Sequence, residues 1–308
     1  MLSSATAAQR IDAASGCHVR EGRLFVKAEH LQKTGSFKAR AALSKLTSLS
    51  GEERARGVIT LSAGNAAQAY AWAGAEEGVA VTVVMPLGAV RSKVDASKGY
   101  GAEVVLHGQH VGETFEKLQD LIEERGLTLV HPFDDPEVIA GNGTAGLEIL
   151  EDLPDVDVVV AGVGGGGFIS GVATALKESR PEVRVYGVEP AGSEAVSMAI
   201  KAGEIVRINP VSVADGLGAP FAGEWTLPIC TKYLDDIVIL DDATILAGLR
   251  FAAERMKQVL EPAGAAALAA VIHGRIPIRE GERVCVVASG GNVEISRLGE
   301  FLERGTSA

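Results

Sequence analysis

The chain has 308 residues, 47% of them hydrophobic and only 5% aromatic, enough for one large or two ordinary domains with a core of Ala, Val, Leu and Ile. A net charge of −11 excludes a phosphate-backbone partner, which needs clustered Lys and Arg, so no nucleic acid is expected. No apolar run approaches the roughly 18 residues of a membrane span, MLSSATAAQR does not read as a signal peptide, and Cys17, Cys230 and Cys285 lack metal-ligand spacing; reduced thiols, a cytoplasmic location and no membrane partner are expected.

In chain order, β-rich runs occur at VITLS (58–62), VTVVMP (81–86), EVVLHG (103–108), TLVHPF (128–133), DVVVAGVG (157–164), VRVYGVEP (183–190), DIVIL (236–240) and VCVVASGG (284–291). Stretches with helical spacing lie between most of them, such as NAAQAYAWAGAEEG (65–78) and GETFEKLQDLIEERG (112–126). Near-continuous apolar strands alternating with helices indicate the α/β class, with parallel sheets covered on both faces. Residues 58–133 hold a complete set of strands and helices. They read as a small domain inserted into a larger one made of 1–57 and 134–308.

The 37 glycines cluster in short loops without a period, which points to tight turns around a ligand. In VGGGGFISG (163–171) the strand DVVVAGVG runs into the helix FISGVATALKES. A helix N-terminus offers unpaired N–H groups, and glycines remove the Cβ atoms that would hold an anion away. A phosphate fits that loop. No Gly-Lys-Ser/Thr ending follows, so a P-loop is excluded. Gly162 to Gly167 also satisfies Gly-x-Gly-x-x-Gly, and Glu189 ends the next strand where a ribose-binding carboxylate belongs. Three further segments decide between ligands: KTGSFKARAA (33–42), SAGNAAQ (62–68) and SGGN (289–292). They supply an amine, small hydroxyls and an amide at strand ends or helix starts, a set that suits pyridoxal phosphate better than a dinucleotide.

The ordered motifs KAEHLQKTGSFKARAA, SAGNAAQ, HPFDDPEVIAGNGT, VGGGGFISG, VEP, ADG, LEPAGA and SGGNVE resemble the fold-type II pyridoxal-phosphate enzymes over roughly residues 23 to 295. The resemblance is strongest to the threonine/serine dehydratase and serine racemase branch. It implies two open, mostly parallel twisted sheets covered by helices, with the cofactor in the cleft between a large and a small domain. It also implies a homodimer acting on a small amino acid. By the same resemblance Lys38 carries the cofactor covalently and takes the Cα proton, and Phe37 packs on the pyridine ring. Gly164, Gly165, Gly166 and Gly167 hold the phosphate, and Asn65 bonds the ring's 3′-oxygen. Ser62 grips the substrate carboxylate, and Glu261 matches a carboxylate near the cofactor. Ser289 matches the pyridine-nitrogen partner; a neutral hydroxyl does not keep that nitrogen protonated, so elimination is favoured over transamination. The implied reaction is α,β-elimination from L-threonine or L-serine to a 2-oxo acid and ammonia. A serine racemase, an ammonia-lyase for another β-hydroxy amino acid such as 3-hydroxyaspartate, and a non-enzymatic cofactor-binding protein are the alternatives.

Several positions depart from that family's pattern. Ala66 replaces a histidine, which widens the substrate side. Glu189 and Ser193 match two members of the family's cation site, but Ala195 stands where an Asp belongs; with one carboxylate lost, a divalent or monovalent cation is not expected to be held as in the family. Ala63 occupies the place of the racemases' second serine, so no proton donor is expected on the face opposite Lys38. Relative to the family the chain starts late, so either its start is misplaced or a packing helix is missing. It ends soon after SGGN, with no room for a regulatory domain.

Overall fold

The computed structural model describes residues 23–305. Cys17 and the opening segment MLSSATAAQR lie outside that range; Cys230 and Cys285 are free and buried. Among the described residues nine strands form two sheets, and no helix is long and apolar enough to cross a membrane.

The strands are β1 (Leu24–Lys27), β2 (Val58–Leu61), β3 (Val81–Met85), β4 (Glu103–Leu106), β5 (Thr128–Leu129), β6 (Val158–Gly162), β7 (Arg184–Pro190), β8 (Asp236–Leu240) and β9 (Val284–Val287). Helices α1 (Lys38–Thr47), α2 (Gly51–Arg56), α3 (Asn65–Glu77), α4 (Arg91–Gly99), α5 (Val111–Arg125) and α6 (Pro136–Asp152) fall in the first half. The second half carries α7 (Gly167–Ser179), α8 (Ala195–Ala202), α9 (Thr226–Tyr233), α10 (Asp242–Phe251), α11 (Pro262–Ile272) and α12 (Ile295–Arg304).

The larger sheet has the order β1-β9-β6-β7-β8 and the smaller β4-β3-β2-β5, and every pairing is parallel. Successive side chains of a strand point to opposite faces, and both faces here are covered. Val158, Val160, Val284 and Val286 join one core with α10 and α11, while Val159, Ala161, Cys285 and Val287 join another with α7. Helix α11 reads PAGAAALAAVI and is buried along its whole length, its alanines allowing close approach to the sheet. The strands of the smaller sheet all lie between Val58 and Leu129, and Ala42, Leu46 and Leu49 from α1 and its exit pack into that sheet's core.

Two elements differ from the sequence reading. Strand β1, LFVK, pairs with β9 from Leu24↔Val284 to Lys27↔Val287; no strand is expected there, because four residues between charged flanks carry too little periodicity. The run TLVHPF is strand only at Thr128–Leu129. Pro132 has no N–H for a ladder and biases the residue before it, so the chain leaves the sheet there.

Candidate active site

Lys38 opens α1, directly after the turn KTGSF. That turn is pinned to the end of β9: Ser36 bridges Gly290, the Phe37 N–H donates to Ser289 O at 3.1 Å, and the Gly291 N–H donates to Gly35 O at 3.0 Å. Thr34 sits in the left-handed region at φ 59°, a conformation a β-branched residue adopts only under constraint. Its carbonyl thereby accepts from Asn292 Nδ2 at 2.6 Å.

The Lys38 amine donates to Pro132 O at 2.7 Å. Lys38 is half-buried as a residue, but the surrounding atoms desolvate its amine and push it down from 10.5 to about 8. The neutral form that a nucleophile and base requires is therefore far more populated near physiological pH than for an ordinary lysine. Phe37 stacks obliquely on Phe168 of α7, ring centroids 4.2 Å apart, and its centroid lies 5.0 Å from Lys38 Nζ. The preceding histidine shapes the turn that presents Pro132. His131 Nδ1 accepts from the Asp134 N–H at 2.8 Å, and burial lowers its pKa, so the ring is neutral.

The loop Gly164–Gly167 joins β6 to α7. Gly166 takes φ +90° and is the N-cap of α7, where it supplies no side-chain cap. By contrast α2, α6 and α10 are capped by Ser50, Asp135 and Asp241. The first amides of α7 are thus left for a ligand. A Cβ at Gly165 would lie 2.4 Å from the Phe133 ring, and one at Gly167 would lie 2.3 Å from Phe133 O. Close packing and an open helix end coexist in one loop.

The side chains from the other segments meet in a chain of hydrogen bonds. Asn292 Nδ2 donates to Asn65 Oδ1 at 2.9 Å, and Asn65 Nδ2 donates to Glu261 Oε1 at 2.7 Å. Asn65 therefore retains one free N–H. Glu261 is almost fully buried, and desolvation raises its carboxyl to about 7. Ser289 is buried, and its nearest acceptor, Ala263 O, lies at 3.5 Å, so its hydroxyl is hardly committed. Ser62 Oγ accepts from the Gly64 N–H at 3.2 Å, which leaves its own proton to donate. Asn292 and Pro132 lie within the motifs SGGN and HPFDDPEVIAGNGT, but nothing in the spacing relates these two residues to Asn65 and Lys38.

Glu189 and Ser193 make none of the hydrogen bonds described above. Glu189 is fully buried, burial raises its carboxyl, and its oxygens accept from the Val196 and Ser197 amides at 2.7 and 3.0 Å, capping α8. Ser193 is buried with its hydroxyl unpartnered among the described residues. No group of three or more His, Cys, Asp or Glu side chains suited to a metal occurs among the described residues.

A desolvated lysine, an uncapped glycine loop, an uncommitted buried hydroxyl and an amide with a spare N–H fit pyridoxal phosphate. A family model described as pyridoxal-phosphate dependent enzyme matches residues 5–290. An L-threonine ammonia-lyase of Thermotoga maritima is 42% identical over 288 residues, 93% of this chain and 71% of that protein. The processed threonine deaminase isoform 2 of Solanum lycopersicum superimposes with a TM-score of 0.91 at 35% identity, over 98% of this chain and 82% of the other. Maize serine racemase does so with a TM-score of 0.88 at 33% identity, over 96% and 90%. With Lys38, the glycine loop and Asn65 brought together between two parallel sheets, the chain belongs to the fold-type II pyridoxal-phosphate-dependent enzymes.

Proposed function

We propose that this enzyme eliminates water from a β-hydroxy L-amino acid, L-threonine or L-serine, so that hydrolysis of the released enamine gives a 2-oxo acid and ammonia. The observation that carries the reading is the Lys38 amine, desolvated to a pKa of about 8 and bonded to a carbonyl with no carboxylate partner. Bound pyridoxal phosphate supplies an electron sink that acidifies the substrate's Cα–H. With the cofactor bound, Lys38 Nζ would take the Cα proton. The Ser62 hydroxyl and the open N-terminus of α3, whose N-cap Gly64 offers no side chain, bind the substrate carboxylate. With the cofactor bound, Asn65 would donate its free N–H to the ring oxygen, Ser289 would bond the ring nitrogen, and Gly164–Gly167 would hold the phosphate. Within this reading the two sheets mark two domains, with 58–133 as the smaller one and α1 packed onto it.

The likeness to maize serine racemase raises a second reading, racemisation. It needs a proton donor on the face away from Lys38, and Ala63 has none. The test is incubation of the holoenzyme with L-threonine, L-serine and 3-hydroxyaspartate, following oxo-acid release. Stoichiometric oxo acid and ammonia from threonine or serine supports elimination. D-serine as the main product would replace it.

A further inference from the structure

Gly166 is held in place by residues far from it in sequence. Thr226 opens α9 and is fully buried. Its Oγ1 donates to Gly165 O at 2.7 Å and accepts from the Gly223 N–H at 2.8 Å. A trans peptide points its carbonyl and its N–H in opposite directions. With the Gly165 carbonyl drawn to Thr226, the N–H of the same peptide, that of Gly166, points away from α9. The space beside Gly166 on the α9 side is closed, since a Cβ there would lie 2.9 Å from Thr226 Cβ. The φ of +90° is the backbone's answer to both constraints.

Thr226 is itself fixed by Asp134. The Asp134 carboxylate accepts from the amides of Glu224, Trp225 and Thr226 at 2.8, 2.9 and 3.3 Å, capping the start of α9. Asp134 follows Phe133, whose ring and carbonyl close over Gly165 and Gly167, and Pro132, which receives the Lys38 amine. One three-residue segment, Pro132–Asp134, thus touches both the lysine and the scaffold of the glycine loop.

We infer that Thr226 and Asp134 are positioning residues that aim the Gly166 N–H into the phosphate cradle. This rests on the reading that the glycine loop holds the cofactor phosphate. Their polar atoms are committed to Gly165, Gly223 and the amides that open α9, so they act through the orientation of the Gly166 N–H.

The test uses holoenzyme and its Thr226→Val, Thr226→Ser and Asp134→Asn variants. The readouts are the dissociation constant for pyridoxal phosphate and the ³¹P resonance of the bound phosphate. Valine keeps the volume and loses the hydroxyl, so the Gly165 peptide is free to rotate. The dissociation constant should rise about tenfold, as expected for losing one oriented charge-assisted donor, with a displaced phosphate resonance. Serine should restore both. Asp134→Asn, which keeps the shape and weakens the cap, should raise the constant about threefold and move the resonance the same way. If Thr226→Val does not fold, Asp134→Asn decides. A role confined to packing would leave the resonance of the bound fraction unchanged. Wild-type affinity and resonance in the folded variants would overturn the inference while leaving the cradle reading intact. A wild-type protein that binds no pyridoxal phosphate would instead remove the cradle reading itself.

Discussion

Two strand-to-helix loops, one from each sheet, are built alike and packed differently. Gly164–Gly167 follows β6 of the larger sheet and opens α7; Ser62–Gly64 follows β2 of the smaller sheet and opens α3. Neither helix has a side-chain cap. In the first loop an added Cβ would meet atoms at 2.3–2.9 Å at Gly165, Gly166 and Gly167. In the second, the nearest atom to a Cβ on Gly64 is Ser62 Oγ at 4.0 Å. A site for a resident cofactor gains from a locked backbone, because ordering is completed on folding. A site that admits substrate and releases product at each turnover needs room. The contrast agrees with the proposal that the first loop holds phosphate and the second the substrate carboxylate.

Gly165→Ala against Gly64→Ala breaks this comparison most sharply. At Gly165 the methyl meets the Phe133 ring, an overpacking cost of about 1–3 kcal/mol, which, borne by the phosphate site, is about a five- to 150-fold loss of cofactor affinity. At Gly64 the methyl enters open space from an extended backbone, φ −124°. Its cofactor affinity and melting temperature should stay at wild-type values, with at most a change in KM. Equal losses in both variants would mean that the loops are not differentiated.

The next effect is one of pH. The native pKa of Lys38, about 8, lies below its unfolded value of 10.5, so between them the unfolded chain binds more protons. In the cofactor-free protein the penalty is fully present below about pH 8 and disappears as pH rises towards 10.5. Cofactor-free Lys38→Met should therefore be more stable than wild type at neutral pH by about 2–3 kcal/mol, with the gap closing in alkaline melts. A gap independent of pH would show that the amine is solvated.

The smallest effect concerns the substrate side alone. If residue 63 lies on the face opposite Lys38, as proposed, Ala63→Ser should let some D-serine form from L-serine, read by chiral chromatography, with elimination still dominant. Appreciable D-serine from the unmutated enzyme would show that another group protonates that face.

Much of this site is legible in the sequence because its parts sit at changes of period. Lys38, Asn65 and Gly167 each begin a helix, and the glycine run interrupts a strand-to-helix crossing. Strand β1 is not legible, since its four residues become a strand only through pairing with β9, far along the chain. Nor are Asn292, Thr226 and Asp134, which act through single hydrogen bonds to Asn65, to Gly165 and to the start of α9. No spacing rule relates such partners. Glu189 shows the reverse: an acid at the end of a strand invites a ligand in the sequence, while in the fold its oxygens serve the amides of α8.

The most direct test is chemical. Borohydride reduction of the purified, yellow holoenzyme, followed by peptide mapping, should leave the cofactor fixed to the peptide containing Lys38. Attachment at Lys27, Lys93 or any other lysine, or a colourless protein that retains no cofactor, would contradict the placement of Lys38 at the centre of this active site.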